Sequence, residues 1–266
     1  MNGEGLLSPP LPPALLAFSL ATVLAAGIVR GFAGFGFSAV SVAGLSLVLS
    51  PAKVVPAIFM LEVLASLRQI PAAARDVDRR WLGWLVLGNA VCIPLGIALL
   101  AWLPETPLRL LVGLLLLAAA VLQRRGFALG LEATPRVRLA TGLVSGLVNG
   151  LAAIGGIAVA MLLNASALPP AAMRATMIAL FLFTDLYALA WALAQSTAAA
   201  SDATALLGPQ TWRWALWLAP AMLAGIEIGR RLFGRVSPEA FRRRVLDLLM
   251  VVSALTVLRA AVALAG

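Results

Sequence analysis

The chain has 266 residues, of which 62% are hydrophobic and 12% are charged, and its net charge is +9. A soluble domain carries about 25% charged residues and about 45–50% apolar ones, so this composition excludes a water-soluble globular protein. Histidine is absent and cysteine occurs once, at Cys92, which excludes histidine-based triads, Cys/His zinc sites and disulfide frameworks. We therefore expect no metal, no cofactor and no enzymatic activity.

The basic residues lie between apolar runs, a distribution that sets membrane topology and does not indicate nucleic-acid binding. The N-terminal segment Met1–Pro13 is rich in proline and lacks the basic region of a cleaved signal peptide. The apolar residues that follow, Ala14–Val29, are thus expected to belong to the mature protein.

Apolar runs long enough to cross a bilayer, about 17–25 residues each, follow one another along the chain. In the first half, a run interrupted by a glycine-rich segment precedes three continuous runs: Ala14–Leu49, Val54–Ile70, Trp81–Leu103 and Leu108–Gln123. After a polar linker, a run broken at Asn149-Gly150 and Gly155-Gly156 again precedes three continuous ones: Leu139–Leu168, Met173–Gln195, Trp212–Ile228 and Val245–Leu264. This layout predicts two transmembrane repeats, residues 14–123 and 139–264, joined by a linker at 124–138.

Matching residues support an internal duplication. At an offset of about 119 positions, Gly27 matches Gly146, Gly31 matches Gly150, Gly36 matches Gly155 and Pro51 matches Pro170. At an offset of about 133, Trp84 matches Trp217, Gly96 matches Gly229 and Arg109 matches Arg242. A duplicated membrane protein is typical of a transporter whose binding site lies between the repeats.

Arginine placement predicts the orientation of the repeats. Arginines are concentrated before Trp81, in the linker 124–138 and between residues 230 and 244, which marks these three loops as cytoplasmic. Val54–Ile70 then runs inward and its counterpart Met173–Gln195 runs outward. The repeats are therefore expected to be inverted, with both termini outside the cell.

The interrupted runs are expected to form glycine-broken, re-entrant hairpins. The first limb of the second run, Leu139–Asn149, would extend only about 16 Å as a helix, which is too short for a hydrocarbon core of about 30 Å. Two half-helices that meet near mid-membrane are thus expected in each repeat. The predicted fold is an all-α bundle in which each repeat has one broken hairpin and three full spans.

Two glycine-rich segments carry a resemblance to a known family. They are residues 27–37, with the sequence GIVRGFAGFGF, and residues 146–156, with the sequence GLVNGLAAIGG; Pro51 and Pro170 follow them. With these motifs and its duplicated layout, the chain resembles the TauE/SafE sulfite exporter family of bacterial permeases. Family members often have a fuller GxGGG string, and here Phe37 and Ala153 each replace a glycine. The resemblance implies transport of sulfite, sulfonates or related sulfur-containing anions across the bacterial cytoplasmic (inner) membrane.

Arg30 is the first candidate for binding such an anion, because a cation is costly at the predicted break of an apolar hairpin and a guanidinium matches the oxygens of an oxyanion. Alternatively, Arg30 extends to the interface or caps a carbonyl. The remaining candidates are the hairpin glycines and the counterpart of Arg30: Gly31, Gly34, Gly36, Asn149, Gly150, Gly155 and Gly156. These glycines either let an anion approach backbone N–H groups or only permit close helix packing.

Two carboxylates, Glu62 and Asp185, fall near the centres of predicted spans, where an unpaired charge is expensive. Each is a candidate for proton coupling, and each could instead form a structural ion pair with a nearby arginine. The predicted function is transport of a small anion by alternating access. An anion channel and a membrane scaffold or assembly factor remain the alternatives.

Overall fold

The structure is a computed structural model, and it describes residues 8–126, 132, 134–164, 166, 168–198, 205–232 and 235–265. Over these residues the chain forms ten α-helices, one short 3₁₀ helix and no β-strand, which confirms the all-α prediction. The helices of the first half are α1 (Pro13–Ala33), α2 (Phe37–Leu45), α3 (Pro51–Ala73), α4 (Arg79–Trp102) and α5 (Glu105–Arg124). Those of the second half are α6 (Pro135–Ala152), α7 (Gly156–Asn164), α8 (Pro170–Ala198), α9 (Pro209–Leu232) and α10 (Pro238–Ala265).

Six helices are long and apolar enough to cross a membrane, namely α1, α3, α4, α5, α8 and α10. This confirms a multi-pass membrane protein. The 24-residue helix α9 is not among them, because three tryptophans and four charged residues make its ends polar. Prolines begin α1, α3, α6, α8, α9 and α10, where their fixed φ fits a first helical turn and their missing N–H leaves no bond unmade.

Each half begins with a long helix followed by a nine-residue helix, so the glycine-broken hairpins are present. The prediction of two half-helices in each hairpin is confirmed for the second limb, which has nine residues, and was wrong for the first. Helix α6 has 18 residues, or about 27 Å, and Asn149-Gly150 lies inside it rather than at a break. The chain breaks at 153–155, beside the predicted break at Gly155-Gly156, and in the first half at 34–36, within the predicted glycine-rich segment. Gly150 instead lies inside α6, where the backbone of α4 approaches too closely for a side chain.

Close contacts between helices join one half of the chain to the other. Helix α1 packs along α9, and α6 packs along α4, which is the same pair of contacts with the halves exchanged. A Cβ at Gly31 would strike the backbone of Ile226, and one at Gly150 would strike the backbone of Ile93. Ile226 and Ile93 are themselves equivalent at the 133-residue offset, so the contacts repeat as the sequence does.

The glycine contacts also give the relative directions of these helices. Along α1, Gly27 lies against Met222 and Gly31 against Ile226, so α1 and α9 run parallel. The contacts of the α4 glycines with α6 also advance along both helices together, so α4 and α6 run parallel as well. The inverted orientation of the second half in the bilayer stays a prediction, as do the repeat boundaries; part of the 124–138 linker lies outside the described residues.

A matched pair of glycines in α4 tests the close packing. A Cβ at Gly88 would lie 2.6 Å from the backbone N of Leu143, whereas Gly83 has nothing within 4 Å. We expect Gly88→Ala to destabilise the protein by about 1–3 kcal/mol through overpacking. Gly83→Ala should stabilise it by up to about 1 kcal/mol, because alanine is the better helix former. Thermal unfolding of the purified variants measures both, and equal effects would contradict the packing.

Cysteine labelling tests the predicted orientation. In a Cys92→Ser background, Arg125→Cys at the end of α5 should react with a membrane-impermeant reagent only from the cytoplasmic side. Glu105→Cys, at the other end of α5, should react only from outside. The opposite pattern would reverse the topology, and labelling of both from one side would mean that α5 does not span the membrane.

Candidate functional site

A buried ion pair lies at the C-terminal end of α1. Arg30 Nη1 donates to Glu62 Oε2 on α3 at 2.5 Å, and Arg30 Nη2 donates to the hydroxyl of Ser66 at 3.0 Å. Arg30 is fully buried and Glu62 is 3% exposed. The structural ion pair predicted as one alternative for Glu62 is therefore present. Arg30 does not extend to an interface, which was one alternative for its side chain.

The other oxygen of Glu62 lies at the start of α2. Glu62 Oε1 accepts from the backbone N–H of Ser38 at 3.2 Å and also from the Ser38 hydroxyl. Gly34 and Gly36 have φ of +85° and +93°, and these left-handed conformations reverse the chain between α1 and α2. The reversal places the N-terminus of α2, with its partial positive charge, against the Glu62 carboxylate.

The second hairpin repeats this construction with different side chains. Its turn residue Ala153 has φ of +58° and donates its N–H to Asn149 O at 2.7 Å, as Gly34 does to Arg30 O. Asn149 Nδ2 donates to Asp185 Oδ1 on α8 at 3.1 Å. At the 119-residue offset Asn149 is the counterpart of Arg30, and Asp185 is the counterpart of Ser66.

The two constructions meet where α3 packs against α8. Phe181, the counterpart of Glu62, places its ring 5.2 Å from the Arg30 guanidinium carbon, within cation–π range. Asp185 interacts electrostatically with both Glu62 and Arg30. One buried cluster thus contains equivalent positions from both halves, and its charged groups are distributed unequally between them.

A cavity of about 20 Å³ lies between the two chain breaks and is bounded by Ser38, Glu62, Ile154, Gly156 and Phe181, among others. A water molecule needs roughly 10–15 Å³ by this measure, so the cavity holds about one water and no oxyanion. Both short helices begin beside it, and their N-termini favour negative charge. The arrangement can therefore bind an anion only after the surrounding helices move.

Two larger cavities lie at opposite ends of α3 and α9. One of about 410 Å³ is lined by Gly31, Arg68, Arg174, Glu227 and Arg230, among others. The other, of about 1030 Å³, lies beside the start of α3 and includes Lys53, Glu105 and Arg213. The buried cluster separates these two openings.

The predicted glycines fall into two groups. Gly34 and Gly36 form the first chain reversal. Gly155 and Gly156 lie at the second, against Ser145 and the ring of Phe181. Gly31 and Gly150 instead lie against the backbones of α9 and α4, where a side chain does not fit. Contact of any of these glycines with substrate stays a prediction.

Sequence reasoning did not single out Ser38, Ser66 or Phe181. Ser66 follows Glu62 by one helical turn, and at the 119-residue offset it is equivalent to Asp185. Because Asp185 was already a candidate, the repeat alignment could have identified Ser66. Phe181 could have been found in the same way, as the counterpart of Glu62. Ser38 carries no such signal, because its role depends on how the chain turns at Gly36.

Comparison with known proteins now adds the family. The model of the family described as "Sulfite exporter TauE/SafE" matches residues 19–257. The chain belongs to this family. The match includes both chain reversals and every residue of the buried cluster, so the Arg30–Glu62 pair lies within the TauE/SafE region. No curated protein and no solved structure matches the chain.

A double-substitution experiment tests whether this TauE/SafE protein depends on the buried pair. Glu62→Leu leaves Arg30 charged and unpaired, which costs roughly 3–5 kcal/mol. Arg30→Met together with Glu62→Leu removes both charges and should recover most of that loss. Thermal unfolding measures both proteins, with Glu105→Leu as the control, because its exposed pair with Arg109 is worth about 1 kcal/mol or less. A double variant no more stable than Glu62→Leu would contradict the account.

Proposed function

We propose that the protein moves a small sulfur-containing anion, sulfite or a sulfonate, across the bacterial cytoplasmic membrane by alternating access, and that Arg30 binds the anion. The observation that carries this proposal is the fully buried Arg30, which lies beside two chain reversals. A guanidinium and two helix N-termini together offer donors and positive potential to an oxyanion. Family membership supports the substrate class.

The central cavity favours a transporter over a channel. A channel needs a continuous aqueous path. Here the buried cluster lies between the cavities at the two ends of α3, and the cavity within the cluster has a volume of only about 20 Å³. Such a closed centre fits a transport cycle in which helix movement opens the site to one side at a time. The same family membership supports a transporter rather than an enzyme.

The cavity beside Arg68, Arg174 and Arg230 is the proposed cytoplasmic entrance. Glu227 pairs with Arg230 and Arg231, at 3.0 and 2.8 Å. Asp76 also lines this cavity, so its three arginines exceed its two carboxylates by one charge. Arg174 interacts electrostatically with Arg30, which places positive potential along the route to the buried site. Such potential raises the local concentration of an anion. With this end inside, both termini are external.

Movement between the two openings involves units that combine both repeats. Because α1 packs on α9 and α6 on α4 through glycine-lined contacts, a rigid displacement of one repeat would break both contacts. We expect instead that α1 moves with α9 and that α4 moves with α6. The surface between these units passes through α3 and α8, where the buried cluster lies.

Counterflow in proteoliposomes tests the proposal. Sulfite-loaded vesicles should exchange labelled sulfite with saturation, and methanesulfonate, sulfate and nitrate serve as competitors. Arg30→Gln removes charge-assisted hydrogen bonds worth about 1.5–3 kcal/mol, so we expect exchange to fall roughly 10–150-fold. Arg30→Gln combined with Glu62→Gln also removes the carboxylate that Arg30 pairs with, and it should show the same loss.

Arg243→Gln, an exposed arginine of α10, is the matched control and should transport as the parent does. If the control also lost exchange, the loss would reflect poor folding or reconstitution of the variants and not the role of Arg30. Undiminished exchange in folded Arg30→Gln would remove Arg30 from the site. Non-saturating flux without counterflow would indicate a channel, and no flux of any sulfur anion would contradict the proposed substrate class.

A further inference from the structure

The buried cluster contains one cation and two carboxylates. Arg30, Glu62 and Asp185 are 0%, 3% and 2% exposed, and Asp185 interacts electrostatically with both of the others. With both carboxylates ionised, the cluster would hold a net charge of −1 in an apolar interior. An uncompensated buried charge costs several kcal/mol. Charge balance in the cluster is therefore linked to proton binding at a carboxylate.

Hydrogen bonding distinguishes the two carboxylates. Glu62 accepts from Arg30 and from both the N–H and the hydroxyl of Ser38. Asp185 accepts from the neutral amide of Asn149. Glu62 is thus the carboxylate that is paired with the cation of the cluster.

The other charged groups around α3 do not change this balance. Arg174 of α8 interacts with Arg30, but its side chain is exposed to the cavity at the end of α3. Helices α2 and α7 contain no charged residue, and those of α4, α5, α6 and α9 lie within two turns of the helix ends. The net charge around Glu62 is consequently set by Arg30, by Asp185 and by any proton bound to either carboxylate.

Glu62 occupies the position that a bound anion needs. Its carboxylate accepts from the guanidinium of Arg30 and from the first turn of α2, which are the donors that an oxyanion would use. A monoanion that displaced Glu62 from Arg30 would add one negative charge to the cluster. Protonation of the displaced carboxylate would offset that charge.

We propose that Glu62 is a built-in competitor of the substrate, and that it accepts one proton whenever a monoanion binds Arg30, so that the protein carries one proton with each monoanion. This rests on the proposed function. On binding, the proton attaches to a carboxylate oxygen of Glu62 as its bond to Arg30 breaks. On release, the proton leaves and the ion pair re-forms. Movement of the loaded protein transfers no net charge.

The first test uses the unaltered protein. In proteoliposomes clamped at zero potential, an inward proton gradient of one unit should drive accumulation that approaches tenfold for one proton per anion. Methanesulfonate is the preferred probe, because it stays a monoanion across the pH range. With an internal pH dye and no initial gradient, its entry should acidify the vesicles. Anion entry without proton movement would overturn the proposal.

Glu62→Gln provides the second test. It cannot accept the proton, so proton-driven accumulation should be lost and the remaining counterflow should no longer depend on pH. Asp185→Asn leaves the Arg30–Glu62 pair in place and should keep the coupling, as should the exposed control Glu239→Gln. Sulfite is a mixture of a monoanion and a dianion near neutral pH. Variants are therefore compared with sulfite only at one fixed pH, where this mixture is the same for all of them. Coupling that survives in Glu62→Gln overturns the proposal, whereas absent counterflow in the parent protein rejects the transport function itself.

Discussion

The buried pair between Arg30 and Glu62 is the interaction on which the rest of the site depends. A guanidinium without solvent is tolerable only beside a carboxylate, and Glu62 is in turn bonded to the first turn of α2. That turn reaches Glu62 because α1 ends at Gly34 and Gly36 adopts a positive φ. Chain reversal, ion pair and helix start therefore form one unit, which an anion would have to rearrange in the proposed mechanism.

A second constraint is the close approach of helices from different halves. Glycines in α1, α4, α6 and α9 let backbones touch, so each hairpin is attached to the opposite repeat. Packing of this kind is a main source of helix association in lipid, where hydrophobic burial between helices adds little. The halves are thus interlocked, and their equivalent positions meet at α3 and α8. The two halves have similar frames, with an ion pair beside the first reversal and an amide–carboxylate contact beside the second.

Much of this could be predicted from the sequence. The hydropathy of the long runs gave six of the spanning helices, and the glycine-rich segments indicated both reversals and the family. The exact breaks could not be predicted, because Gly31 and Gly150 read locally as helix breakers, while α9 and α4 fill the space beside them. The partners of Arg30 were also ambiguous, since nothing local distinguishes a coupling carboxylate from a paired one. Phe181 and Ser66 needed the repeat alignment together with the geometry.

The most direct test of the account is a structure determined with a saturating sulfur anion, since it locates the anion and Glu62 at the same time. We expect the anion to lie between the Arg30 guanidinium and the first turns of α2 and α7, with the Glu62 carboxylate moved away from Arg30. The central cavity should be enlarged accordingly. An anion bound elsewhere, with the Arg30–Glu62 pair intact, would contradict the account.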